Sequence, residues 1–109
     1  MITYTKLALH IDGEWLTTSS GGYQNVTNPA DDSELGQLPL AGKLELDRAL
    51  AAAERGFKIW KHTPAHDRYT LLRKVAVLVR ERHERMGQLM SLDQGKPLPE
   101  AIMYGGRWM

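Results

Sequence analysis

The 109-residue sequence contains no cysteine. That absence excludes disulfides, thiolate metal sites and any cysteine nucleophile within these residues, whatever compartment they occupy. No apolar run approaches the roughly 20 residues that a membrane span requires, so no membrane partner is expected. The opening stretch, "MITYTKLALHIDGEW", has neither a continuous apolar core nor a small-residue cleavage site, and a cytoplasmic location is the resulting expectation. An excess of one charge is missing as well. Fourteen basic and 13 acidic residues leave a net charge of +1, which supplies no general attraction to nucleic acid or anionic lipid. Arg68, Arg73, Lys74, Arg80, Arg82 and Arg85 do crowd into one segment. Glu81 and Glu84 dilute them and few aromatics are interleaved, so they read as a solvated helix face with no nucleic-acid partner.

What is present is ordinary for a soluble globular protein: 42% hydrophobic and 25% charged residues. One small domain, 1–109, fits this length, whereas a nucleotide domain plus a substrate domain does not. In "LALHIDGEWLTT", residues 7–18, Leu7, Leu9 and Ile11 alternate with polar residues, and Asp12-Gly13 interrupts before Trp15 and Leu16. Asp-Gly between such runs predicts a β-hairpin. After the Ser19–Gly22 connection, "YQNVTNPADDSELGQLPLA" alternates short extended pieces with turns at Asn28-Pro29 and Asp31-Asp32.

From Lys43 the period changes. Leu46, Leu50, Ala53, Phe57 and Trp60 share one helical face, with Gly42 as N-cap and Glu45 three positions on. A second helix is predicted from Thr63 as cap and Pro64 as first helical residue, its apolar face running through Leu72, Val75, Val79, Met86 and Leu89. Uninterrupted to Leu92 it would be about 40 Å long, more than a domain of this size normally spans; either it breaks or it belongs to something larger. The short "KHTP" connection predicts an antiparallel helix pair. The expected class is therefore an α+β fragment, a hairpin and extended turns followed by two long antiparallel helices, with no parallel-sheet run for the helices to cover.

Three groups invite a chemical reading. His62 and His66 have the spacing at which two imidazoles can share a metal on a helix, but the pair straddles Thr63-Pro64 and no third ligand is near, so they read as surface histidines. Asp31, Asp32 and Glu34 sit in a wet, turn-rich loop where turn chemistry outweighs acid–base catalysis. Gly95-Lys96 lacks the glycines that precede it in a phosphate loop and follows a helix instead of opening one. Gly95 as a left-handed C-cap, Lys96 at the negative end of the helix dipole and Pro97 barring continuation read together as a helix terminator.

The order of motifs adds to this. "HIDGEW", "VTNPADDSELGQLPLA" and the helical segment closing on "LDQGKPLPEA" resemble, from about Leu7 to Ala101, the N-terminal portion of NAD(P)-dependent aldehyde dehydrogenases. The markers are Asp12–Trp15, Asn28-Pro29-Ala30 and Leu92–Pro97, and Gln-Gly-Lys-Pro-Leu followed by Glu-Ala is similar to the succinate-semialdehyde dehydrogenase branch.

The resemblance implies the start of a larger α/β enzyme that oxidises an aldehyde through a cysteine thiolate, passes hydride to NAD or NADP and activates water with a glutamate. It places those parts outside residues 7–101, so no catalytic or cofactor-binding residue is assigned, and NAD or NADP is expected for the complete enzyme, with neither binding this chain alone. It also implies a monovalent cation held by Val26, Thr27 and Asp93. The tail "IMYGGRWM", residues 102–109, does not look like the amphipathic helix expected next, as a frameshift would produce. The expectation is a truncated aldehyde dehydrogenase remnant, inactive alone; the alternative is a helical module that docks on an intact aldehyde dehydrogenase subunit or on a separately encoded catalytic half.

Overall fold

A computed structural model describes residues 2–107. Strands β1 (Leu9–Ile11) and β2 (Glu14–Leu16) pair antiparallel with Leu9 opposite Leu16, His10 opposite Trp15 and Ile11 opposite Glu14. Asp12 and Gly13 between them both have positive φ, 53° and 79°. Left-handed backbone at both central positions is what a two-residue turn needs to match the strands' twist. Strands β3 (Tyr23–Thr27) and β4 (Glu34–Pro39) form a second ribbon. Its bonds include Leu40 N–H to Gly22 O and Asn28 N–H to Ser33 O, both 2.8 Å.

Four helices follow: α1 (Lys43–Trp60), α2 (Ala65–Glu81), α3 (His83–Gln94) and α4 (Leu98–Arg107). The mixed strand-and-helix class agrees with the sequence reading, and of the two alternatives left for the long segment from Thr63 to Leu92 the structure takes the break: it is two helices. The chain leaves α-helical geometry at Arg82 (φ −109°, ψ 7°), and the His83 ring bonds Arg80 O at 2.7 Å, capping one of the carbonyls exposed by the break. No glycine or proline marks that position. The start also shifts. Pro64 is the N-cap, while the Thr63 hydroxyl donates backwards to Ile59 O at 3.0 Å and closes α1 instead of opening α2.

The tail corrects a further expectation. α4 runs on through Ala101 to Arg107, with Pro97 O accepting from Ala101 N–H at 3.0 Å, so Pro97 both ends one helix and begins the next. Residues 108 and 109 of the expected divergent tail lie outside the described residues.

The chain divides into two compact units. One comprises Lys6–Val26 and Gly36–Thr63; the other comprises the residues up to Thr5, Thr27–Leu35 and those from Pro64 onward. In the first, α1 packs on β1. Arg48 reaches Glu14 at 3.1 Å and Arg55 reaches Asp12 at 2.7 Å, tying the helix to both sides of the hairpin turn. Half-buried Glu45, Ala49 and Ala52 share one helix face.

Glu45 fixes the start of α1. Its carboxylate accepts from the Ser20 hydroxyl (2.6 Å), the Ser20 amide (3.0 Å) and the Gly42 amide (2.9 Å). Those bonds, the Ser20 hydroxyl first among them, hold its pKa at about 2 against an ordinary 4.5. A depressed carboxylate contributes its stabilisation above the unfolded pKa and loses it as pH falls through the folded one. The thermal midpoint should therefore fall as pH drops from 4.5 towards 2 by more in the wild-type chain than in Glu45→Gln, read by circular dichroism. Equal slopes would detach Glu45 from the acid transition.

In the second unit α3 packs along α4. Gly87 and Ala101 are buried, Ala101 completely, so small residues let the two backbones approach closely. Between α3 and α4, Lys96 holds its ammonium 3.5 Å from the centre of the Tyr104 ring of α4.

Candidate functional site

Asp93 lies in the last turn of α3, and Gly95 ends that helix in left-handed backbone, φ 67° and ψ 16°, with its amide on Ser91 O at 2.9 Å. The Ser91 hydroxyl donates to Lys96 O at 2.7 Å, so a side chain stabilises the exit as well. The helix terminator read from the sequence is present. What the sequence did not show is its neighbour. A Cβ on Gly95 would sit 3.0 Å from Pro29 Cγ, which places the Asn28-Pro29 turn against the C-terminal end of α3.

That turn is strongly determined locally. Asn28 Oδ1 accepts from Ala30 N–H at 3.0 Å, and Asn28 O accepts from Asp32 N–H at 2.8 Å. Asp31 Oδ1 takes both the Ser33 amide (3.0 Å) and the Ser33 hydroxyl (2.6 Å), bonds that hold the Asp31 carboxyl below its ordinary range. Asp32 adopts φ 59°. The acidic cluster Asp31, Asp32 and Glu34 is exposed, and Asp31 is engaged in shaping the loop, as turn chemistry requires.

Of the residues suggested for a monovalent cation, Thr27 and Asp93 belong to this same unit and Val26 to the other. Thr27 ends β3 one residue before the Asn28-Pro29 turn. Asp93 itself offers a carboxylate at the negative end of the α3 dipole, which is hard-oxygen chemistry. One carboxylate oxygen has a protein partner already, since Tyr4 donates its hydroxyl to Asp93 Oδ1 at 3.3 Å. Burial first, and the Asp93 carboxylate second, push the Tyr4 pKa up. Tyr4 is the contact the sequence could not reveal, because 89 residues separate it from Asp93.

The other candidates stay apart from chemistry. His62 and His66 are exposed, and among the described residues no three of His, Cys, Asp and Glu are grouped to hold a metal. Arg73, Lys74 and Arg80 on α2, Arg82 at the break and Arg85 in the first turn of α3 are exposed. A hollow of about 360 Å³ lined by Ile2, Gln88, Ser91, Leu92 and Leu98 contains no titratable side chain. Among the described residues no helix is long and apolar enough to cross a membrane.

Apolar surface is the most prominent feature of the exterior. Leu46, Leu50, Phe57 and Trp60, the stripe that gives α1 its amphipathic pattern, are all exposed, Leu50 by 69% and Phe57 by 62%. The face of α1 carrying the half-buried Glu45, Ala49 and Ala52 lies roughly 100° around the helix from it. Leu72 and Val75 on α2 are exposed too.

A sequence model of the aldehyde dehydrogenase family matches residues 15–104. The 3-sulfolactaldehyde dehydrogenase of Pseudomonas putida is 44% identical over 96 residues, which are 88% of this chain and 20% of that protein. The NADP-dependent succinate-semialdehyde dehydrogenase of Escherichia coli K12 is 42% identical over 91 residues, 84% of this chain and 19% of that protein. Among solved structures, NADP-dependent glyceraldehyde-3-phosphate dehydrogenase from Bacillus halodurans, complexed with NADP, superposes with a TM-score of 0.88 at 33% identity, over 94% of this chain and 22% of that one. The chain thus spans about one fifth of the length of the curated relatives it matches.

Proposed function

Because this chain belongs to the aldehyde dehydrogenase family, we propose that it forms a scaffold region of an NAD(P)-dependent enzyme oxidising a short aldehyde that carries a second, anionic group. Supporting that substrate class, 3-sulfolactaldehyde, succinate semialdehyde and glyceraldehyde 3-phosphate, named for the relatives above, all combine an aldehyde with a fixed negative charge. The observation that carries the division of labour is the zero cysteine count across a segment otherwise rich in family markers. Aldehyde oxidation by this route needs a thiolate to attack the carbonyl carbon before hydride can leave, and these residues hold no thiol. NAD or NADP accepts that hydride when bound to the complete enzyme. This chain's own part is to shape and support, and it binds neither cofactor alone.

The test is direct. The purified chain, mixed with succinate semialdehyde or 3-sulfolactaldehyde and either NAD or NADP, should generate no reduced nicotinamide above the enzyme-free rate, read at 340 nm. Turnover at an enzymatic rate, on the order of 1 per second or more, would overturn the reading.

Within one unit, Thr27 and Asp93 are the residues that would hold a monovalent cation, through a main-chain carbonyl and a carboxylate. The Asn28-Pro29 turn seated against the helix end that carries Asp93 supports this. Replacing potassium by tetramethylammonium, too large and too apolar to ligate, should lower the thermal midpoint of the wild-type chain at constant ionic strength and leave that of Asp93→Asn unchanged. Indifference of both would remove the ion. A second reading, a helical module that docks on a dehydrogenase subunit, is favoured by the exposed apolar stripe of α1.

A further inference from the structure

Of the aspartates in the sequence only Asp12 is followed by glycine, and no asparagine is. At such a pair the second residue has no side chain to shield its amide nitrogen from the carboxyl carbon of the first. The fold leaves this pair on the surface, in the turn between β1 and β2. Asp12 is exposed, and a Cβ placed on Gly13 would meet nothing within 4 Å.

A reaction open to these atoms needs no co-reactant but water. The Gly13 nitrogen attacks Asp12 Cγ and a C–N bond forms, while one carboxyl oxygen leaves as water with the amide proton and a proton from solvent. The five-membered succinimide then takes up water and returns the proton. Opening at the former main-chain carbonyl breaks its bond to the Gly13 nitrogen, so the chain now runs through Cγ as an isoaspartate of unchanged composition.

Arg55 bears on the rate. Its Nη2 donates to Asp12 Oδ2 at 2.7 Å, which restrains the carboxyl group that has to turn onto the Gly13 nitrogen and occupies an oxygen that would have to leave. Attack needs the reacting atoms roughly 3–3.5 Å apart and aligned, so a tether on one of them slows it. Asp32 supplies a contrast within the chain. It too is exposed in left-handed backbone, φ 59°, but the next residue is Ser33, whose amide is already donating to Asp31 Oδ1 at 3.0 Å.

We propose that Asp12-Gly13 is a site of spontaneous isoaspartate formation and that Arg55 is the residue restraining it. The product lengthens a two-residue turn by one main-chain carbon, which unsettles Ile11 opposite Glu14. It also moves the free carboxylate directly onto Cα, shortening the arm by which Asp12 ties α1 to the hairpin.

The test is to age the full chain at neutral pH and 37 °C, folded and in urea, and to map its peptides by chromatography and mass spectrometry with electron-transfer fragmentation, which separates the two isomers. Isoaspartate should accumulate at residue 12, preceded by a succinimide one water lighter, and faster in urea than in the folded chain. Asp32 should stay unconverted. Arg55→Gln should raise the folded rate about tenfold, and Arg55→Lys, which keeps a donor, should restore most of the protection. Arg48→Gln, which frees Glu14 on the other side of the turn, should age as the wild type does. Absence of isoaspartate at residue 12, an Arg55→Gln rate equal to the wild type's, or equal acceleration by Arg48→Gln would each overturn the proposal, the last by assigning the effect to a loosened helix.

Discussion

Gly87→Ala lowers the urea midpoint of the chain, although alanine is the better helix former. A Cβ at residue 87 would lie 2.7 Å from Ile102 Cγ1 and 2.8 Å from both Ile102 Cα and Ile102 N. The side-chain atom can swing away, but the two backbone atoms belong to α4 and move only if the helices separate. Replacing glycine by alanine in a helix interior gains up to about 1 kcal/mol of propensity, whereas over-packing a close contact costs about 1–3 kcal/mol. The clash is with main chain, so the loss should sit towards the upper part of that range and the net effect should be about 1–2 kcal/mol of destabilisation. Gly56 in α1 is the control, because a Cβ there meets nothing within 4 Å. Gly56→Ala should gain up to about 1 kcal/mol. Equal and positive shifts for the two variants would mean that α3 and α4 are not in close contact.

Gly21→Ala is expected to be as damaging in the other unit, for a purely steric reason. Its added Cβ would overlap Leu40 O and come within 2.9 Å of the carbonyl carbons of Leu40 and Ala41. The Leu40 carbonyl is itself the acceptor of the Ser19 hydroxyl, and the Gly21 amide donates back to Ser19 Oγ at 3.2 Å. Pushing Leu40 away pulls on Ser20 and with it on the bonds that start α1 at Glu45. A loss of about 1–3 kcal/mol follows from over-packing. It should be accompanied by a shallower acid transition between pH 4.5 and 2, as Glu45 returns towards its ordinary range. Gly22 separates this cause from backbone strain: its surroundings are open but its φ is 81°. Asparagine, which tolerates left-handed backbone, should therefore be accepted at 22 and rejected at 21. If Gly22→Asn proved the more damaging, dihedral strain and not crowding would govern the connection.

These two glycines mark where sequence reading stopped. The Asp12-Gly13 turn, the hairpin around it and the start of α1 at Gly42 with Glu45 follow from neighbours a few residues apart, so local chemistry was enough to place them. Gly95 was legible for the same reason, since a left-handed C-cap is a property of the helix it ends. The break at Arg82 was not, because "RERHERM" contains no residue that bars a helix. Just beyond it α3 packs along α4 at Gly87 and Ala101, a contact absent from any local pattern. The tail was misread for a related reason. "IMYGGRW" lacks a convincing periodicity, yet Ala101 and Ile102 lie against α3.

The proposed cation site divides in the same way. Asp93, Thr27 and Val26 came from motif resemblance. The seating of the Asn28-Pro29 turn on Gly95, and the hydroxyl that Tyr4 gives to Asp93, depend on residues 66 and 89 positions apart in the chain. The amphipathic pattern of α1 revealed a stripe but not which face the hairpin would take. The hairpin took the small face, leaving Leu50 and Phe57 outside.

By itself the sequence determined the family, the absence of a thiol, the turns, the start of α1 and the end of α3, because each is written in residue identity over short spacing. Only the tertiary structure decided where the long helix breaks, which glycines admit no side chain and which apolar face stays open, because those depend on atoms that meet across the fold.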